Sequence, residues 1–112
     1  MLYDLKVFQK VYDFLLWTNP TIQRFAKVHK YGLGVELEKE TTELVKQIIR
    51  ANFRKTDRGK DIEECLVHYE IIKILIRMSK DYHLLSLRQY EFAAQELNEI
   101  GKLLGGWYKK FS

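Results

Sequence analysis

The sequence predicts an all-α fold, an up-down-up-down four-helix bundle, on three observations. Apolar residues recur at three- and four-residue spacings through four long segments. Six Gly and one Pro in 112 residues leave few places for turns, which argues against many short strands joined by hairpins. The connections between the segments are short, as they are between neighbouring helices of a bundle. With 46% hydrophobic and 30% charged residues, the chain is expected to form a single domain over residues 1–112 around one modest core, and disorder is excluded.

The first helix is read from residue 4 to about 25, where Leu5, Phe8, Val11, Tyr12, Leu15 and Leu16 alternate with Lys6, Gln9, Lys10 and Asp13. Pro20 lacks an amide donor and disfavours helical geometry at Asn19, so a kink or break is expected at Thr18-Asn19-Pro20. After the polar stretch from Arg24 to Lys30, Tyr31-Gly32-Leu33-Gly34 opens a second helix with Leu33, Leu37, Leu44, Val45, Ile48 and Ile49 on one face. Its early glutamates and late Lys46 and Arg50 follow the polarity of a helix dipole. Residues 51–60 break the pattern and read as a loop. The third helix, from Asp61 to about His83, is apolar over most of its circumference and asks for more than one partner surface. In a domain this small, that suggests neighbouring subunits, with Ile72 and Ile76 as candidate interface residues. The fourth helix starts at Ser86 with Gln89 completing a capping box, and carries a seam of Tyr90, Ala93, Ala94, Leu97, Ile100, Leu104, Trp107 and Phe111.

Several chemistries are argued against by what the residues cannot do. Paired Glu-x-x-His motifs, which would place metal ligands on facing helices, are absent. Glu64 and His68 stand four apart and read as a solvated helix pair. His29 and His83 fall near helix ends, where a capping or dipole role suits them. Cys65 lies on an apolar face with no activating neighbour, which suits a packed thiol, and a lone cysteine makes no internal disulfide. The Gly32-Leu33-Gly34 sequence lacks the third glycine and preceding strand of a nucleotide-binding turn. No catalytic residue, cofactor or metal is expected. Met1-Leu2-Tyr3-Asp4 does not resemble a secretory signal and no apolar run approaches a bilayer span, so a cytoplasmic protein is expected.

Gly101, Gly105 and Gly106 interrupt the last helix, where each glycine costs about 1 kcal/mol relative to Ala. Gly101 and Gly105 share a face and would admit another helix closely, with Trp107 packing beside the contact. A subunit boundary is one place for that contact, and a frayed helix end is the competing reading.

Charge carries the functional reading. The net charge is +4, and from Lys46 to Lys60 six cations face one carboxylate, Asp57, with Asn52 and Phe53 between them. Such a stretch suits a phosphate backbone and one stacked base, although a charge run is most often a solvated face. Repetition around an oligomer would turn it into a strongly basic particle. In an alternating bundle Arg50, Arg54, Lys55, Arg58 and Lys60 gather at one end with Lys6, Lys109 and Lys110, partly offset by Asp4, Asp57, Asp61, Glu63 and Glu64, while Arg24, Lys27, Lys30, Arg77, Lys80 and Arg88 gather at the other.

Beyond these features, the chain resembles the accessory variability determinant family of diversity-generating retroelements, within a wider group of bacterial four-helix bundles that includes proteins from intervening sequences of ribosomal RNA genes. The resemblance is carried by Tyr3-Asp4-Leu5-Lys6 with Lys10 and Tyr12, Tyr31-Gly32-Leu33-Gly34, Arg50-Ala51-Asn52, Leu84-Leu85-Ser86 with Gln89-Tyr90, and Glu99-Ile100-Gly101-Lys102-Leu103-Leu104-Gly105-Gly106-Trp107. The final Gly-Gly-Trp favours the retroelement branch. Phe25-Ala26-Lys27 departs from the Phe-Pro-Lys of relatives. The resemblance implies a non-enzymatic, ring-shaped homopentamer that binds the retroelement's reverse transcriptase and template-repeat RNA to support mutagenic cDNA synthesis. The candidate RNA-binding residues are Arg50, Arg54, Lys55, Arg58, Lys60, Lys6, Lys10 and Lys46, and the candidate oligomer contacts are Gly101, Gly105, Trp107, Ile72 and Ile76. Alternatives are an intervening-sequence relative without a polymerase partner, a protein-interaction module without RNA binding and, weakest, a metal enzyme.

Overall fold

The three- and four-residue spacing is realised as four long helices in a computed structural model that describes residues 5–112. They are α1 (Lys6–Gln23), α3 (Val35–Phe53), α4 (Arg58–Asp81) and α5 (Leu87–Phe111). A one-turn α2 (Lys27–His29) and a π-helical turn (Lys30–Gly34) join α1 to α3. Among the described residues there is no strand. The Tyr3-Asp4 part of the first family segment and the reading of Met1 to Asp4 lie outside the described residues.

α1 packs against α3 and α5, and α4 packs against the same two helices. The core is their shared centre, filled by Val11, Phe14, Leu44, Ile48, Cys65, Ile72, Ile100 and Leu104 among others. On α5 the buried residues Ala93, Leu97, Ile100 and Leu104 step by four, three and four, as the sequence seam predicts. Ala94 is exposed instead, one position off the seam. Ser86 Oγ accepts from the Gln89 amide at 3.1 Å while Gln89 Oε1 accepts from the Ser86 amide at 2.9 Å, so the capping box is formed.

Three local expectations are corrected. α1 does not break at Thr18-Asn19-Pro20: it is helical through to Gln23. Pro20 falls in the last turn on an exposed face, where the Leu16 carbonyl that loses its amide partner is on a solvent-facing residue. The buried face of α1 is also rotated from the expected one. Val7, Val11, Phe14, Thr18 and Ile22 point inward, whereas Tyr12 and Leu16 are exposed. The loop predicted over residues 51–60 shrinks to four residues, because α3 runs through Phe53 and α4 starts at Arg58.

α4 carries two apolar stripes. Ile62, Cys65, Tyr69, Ile72 and Ile76 face the core. Ile72 and Ile76 are 0% and 2% exposed, so the assignment of these two to a subunit interface is corrected: the chain's own core already covers them. Val67, Ile71, Ile74 and Met78, again at steps of four, three and four, face outward. The two stripes explain why this helix reads as apolar nearly all round, and the outward one remains open.

Gly101 is likewise an internal contact. A methyl group there would collide with the buried Tyr69 ring of α4, so the missing side chain lets α4 and α5 approach each other within one chain. A methyl group at Gly105 or Gly106 would meet nothing. These two, with half-buried Trp107, are therefore the part of the motif open to an outside partner.

α4 ends in a Schellman motif. His83 adopts a left-handed conformation at φ 61°, its amide donates to the Lys80 carbonyl at 2.9 Å, and the Leu84 amide donates to the Ser79 carbonyl at 2.8 Å. His83 thus caps through its backbone. The His29 ring stacks on Tyr82 at 4.7 Å between centroids, tying the α2 turn to the end of α4.

Candidate nucleic-acid interface

The sequence from Lys46 to Lys60 spans the end of α3, a four-residue loop and the start of α4. Arg54 Nε donates to Asp61 Oδ2 at 2.8 Å. Buried Gln47 donates through Nε2 to the Asp61 carbonyl and carboxylate at 3.2 and 3.3 Å, and its own Oε1 accepts from Arg50 at 3.1 Å. A continuous chain Arg50, Gln47, Asp61, Arg54 therefore ties α3 to α4. Neither Gln47 nor Asp61 was singled out in the sequence as the tie, because they stand fourteen residues apart with no motif linking them.

Arg58 is also committed to structure. Its guanidinium donates to the Arg54 carbonyl at 2.8 Å and the Asn52 carbonyl at 3.3 Å, satisfying acceptors that the end of α3 leaves open. It also lies over the Phe111 ring at 4.5 Å from the centroid. The absence of a side chain at Gly59 admits the Phe111 backbone, since a methyl group there would sit 2.8 Å from that carbonyl oxygen. Tyr108 Oη donates to Glu63 at 3.2 Å. The end of α5, which carries Lys109 and Lys110, is thereby held against the start of α4.

The eight candidate cations divide by their partners. Lys46 pairs with Glu43 and Lys10 with Glu96, both at 3.3 Å. Arg54 is neutralised by Asp61. Arg50 is exposed and, among the described residues, its side chain donates only to the neutral Gln47 amide. Among the described residues Lys6, Lys55 and Lys60 make no ion pair, and all three are exposed. Arg50, Lys55 and Lys60 at the α3–α4 junction, with Lys6 at the start of α1 and Lys109 and Lys110 at the end of α5, are thus the charges that remain available to an anionic polymer. Lys10 faces Glu96 on α5 and stands apart from this cluster.

Elsewhere the residues of possible chemistry have structural partners. His68 Nδ1 and Glu40 Oε2 lie 2.7 Å apart, joining α4 to α3, so the pairing of His68 with Glu64 is corrected: the helix turns His68 toward α3. Cys65 is fully buried and burial, reinforced by the nearby Asp61 charge, pushes its thiol up to about 12. A thiol held protonated there is a packing group. Burial likewise raises the Tyr69 hydroxyl. Among the described residues no cluster of three or more His, Cys, Asp or Glu could hold a metal. No helix of the described chain is long and apolar enough to cross a membrane.

The molecule is a four-helix bundle with a basic end built at the junction of α3, α4 and α5. The chain belongs to the bAvd-like family, whose model matches residues 5–111. This is an Avd-like family of accessory proteins, in general without catalytic activity. No curated protein and no solved structure matches the chain.

Proposed function

We propose that this protein is the accessory variability determinant of a diversity-generating retroelement, binding the reverse transcriptase and the template-repeat RNA so that mutagenic cDNA is made beside it. The observation that carries this reading is the family match over residues 5–111. The polymerase supplies the chemistry; this chain supplies a surface. Available cations at the α3–α4 loop support contact with RNA phosphates, where release of counterions gives affinity without base sequence. An alternating up-down course of the helices and a cytoplasmic location belong to the same reading.

The reading also includes a homopentameric ring. The outward stripe Val67, Ile71, Ile74 and Met78 supports self-association, because a continuous apolar stripe along a helix is stable in water when another surface covers it. Each added subunit repeats the basic end, and five copies multiply a net charge of +4 per chain.

The test is RNA binding at several salt concentrations. Lys55→Gln with Lys60→Gln should weaken binding of template-repeat RNA about tenfold or more at low salt and lower the salt slope by about two, with helix content and assembled mass unchanged. Unaltered affinity and slope in the double variant would reject the basic end as the RNA surface.

A further inference from the structure

Phe53 is the last residue of α3 and is 71% exposed. It takes no part in the buried core cluster. Its backbone is nonetheless anchored. The carbonyls of Asn52 and Arg54, on either side of it, both accept from the Arg58 guanidinium, and Arg54 is itself pinned by Asp61. A ring outside the buried core, with no aromatic or cation–π partner among the described residues, is therefore presented from a rigid base, two residues from Lys55 and one four-residue loop away from the first turn of α4, which carries Lys60. Aromatic faces set among free cations bind unpaired strands, because every base has a face that can stack. The bases of a duplex turn those faces to one another, leaving only edges and backbone for contact.

We propose that Phe53 is a stacking platform for one unpaired base of a single-stranded nucleic acid whose backbone passes over Lys55 and Lys60. This rests on the nucleic-acid reading above and narrows it to an unpaired segment. It also assigns the two kinds of contact separately: the lysines set the salt dependence, and the ring sets the preference for unpaired over paired strands.

The experiment is fluorescence anisotropy of the full chain with two labelled probes, an unpaired oligouridylate and an RNA hairpin of equal charge whose short, structured loop leaves no base unstacked. Phe53→Ala and Phe53→Leu should each weaken oligouridylate binding about tenfold, with the salt slope unchanged and hairpin binding within about twofold of the parent. Phe53→Tyr should keep the parent's affinity. Leucine separates stacking from bulk, since it retains an apolar side chain and lacks the π face. If both variants bind oligouridylate as the parent does, or lose both probes equally, the stacking assignment falls while RNA binding by the basic end stands. If Phe53→Leu keeps full affinity and Phe53→Ala lowers the assembled mass, the ring belongs to a protein contact and the assignment is overturned. A parent protein that binds neither probe overturns this inference together with the reading on which it rests.

Discussion

Single residues show where the chain has no slack. A methyl group at Gly101 must displace the Tyr69 ring, which is buried against α5. Overpacking costs about 1–3 kcal/mol and exceeds the ~1 kcal/mol gain in helix propensity, so Gly101→Ala should lower stability by about 1 kcal/mol in urea unfolding. Gly105→Ala meets open space and should gain some of that propensity instead, by roughly 0.5–1 kcal/mol within the single chain. The opposite signs separate the internal glycine from the outward one. Cys65 gives a pH prediction. Its thiol ionises near 9.0 when unfolded and at about 12 in the fold, so the folded state keeps a proton that the unfolded state loses. Stability should therefore fall as pH rises from 9 toward 12, and Cys65→Ala should flatten that fall in a series of denaturant melts.

Helices were legible where their signals are local. The capping box at Ser86 and the α5 seam are set by residues three and four apart, and both are present. α4 is harder to read because its two apolar stripes lie on opposite sides of the helix, so the pattern alone does not say which one faces the core. Ile72 and Ile76 face inward while Ile71 and Ile74 face outward, a distinction set by the neighbouring helices. Long-range pairs were also hidden. His68 with Glu40 and Gln47 with Asp61 join different helices, and nothing within either helix announces the partner. The run of cations was legible, yet which of them are neutralised depends on Glu43, Asp61 and Glu96, and Arg58 is held by the neutral carbonyls at the end of α3. At this scale the α4 cap gives a direct test. His83 holds a left-handed conformation that glycine adopts without strain, so His83→Gly should raise the melting temperature, gaining up to about 1 kcal/mol. An unchanged or lower melting temperature would show that its side chain contributes more than its backbone conformation costs.

The whole molecule extends 44 Å along its longest axis, and the outward stripe of α4 begins at Val67, seven residues or about 10 Å along the same helix from Lys60 of the basic end. Ile74 is 59% exposed, and a charge placed there meets water in the isolated chain. Ile71→Glu with Ile74→Glu should leave the far-ultraviolet spectrum and melting of the bundle nearly intact while reducing the assembled mass toward one chain. RNA affinity should fall with it, because one basic end replaces several. The most direct measurement of the central claim is light scattering after size exclusion, on the unaltered protein, with and without template-repeat RNA at low and high salt. A particle near five times the chain mass that takes up RNA at low salt and releases it at high salt is the expected result. A single-chain particle indifferent to RNA at both salt concentrations would contradict it.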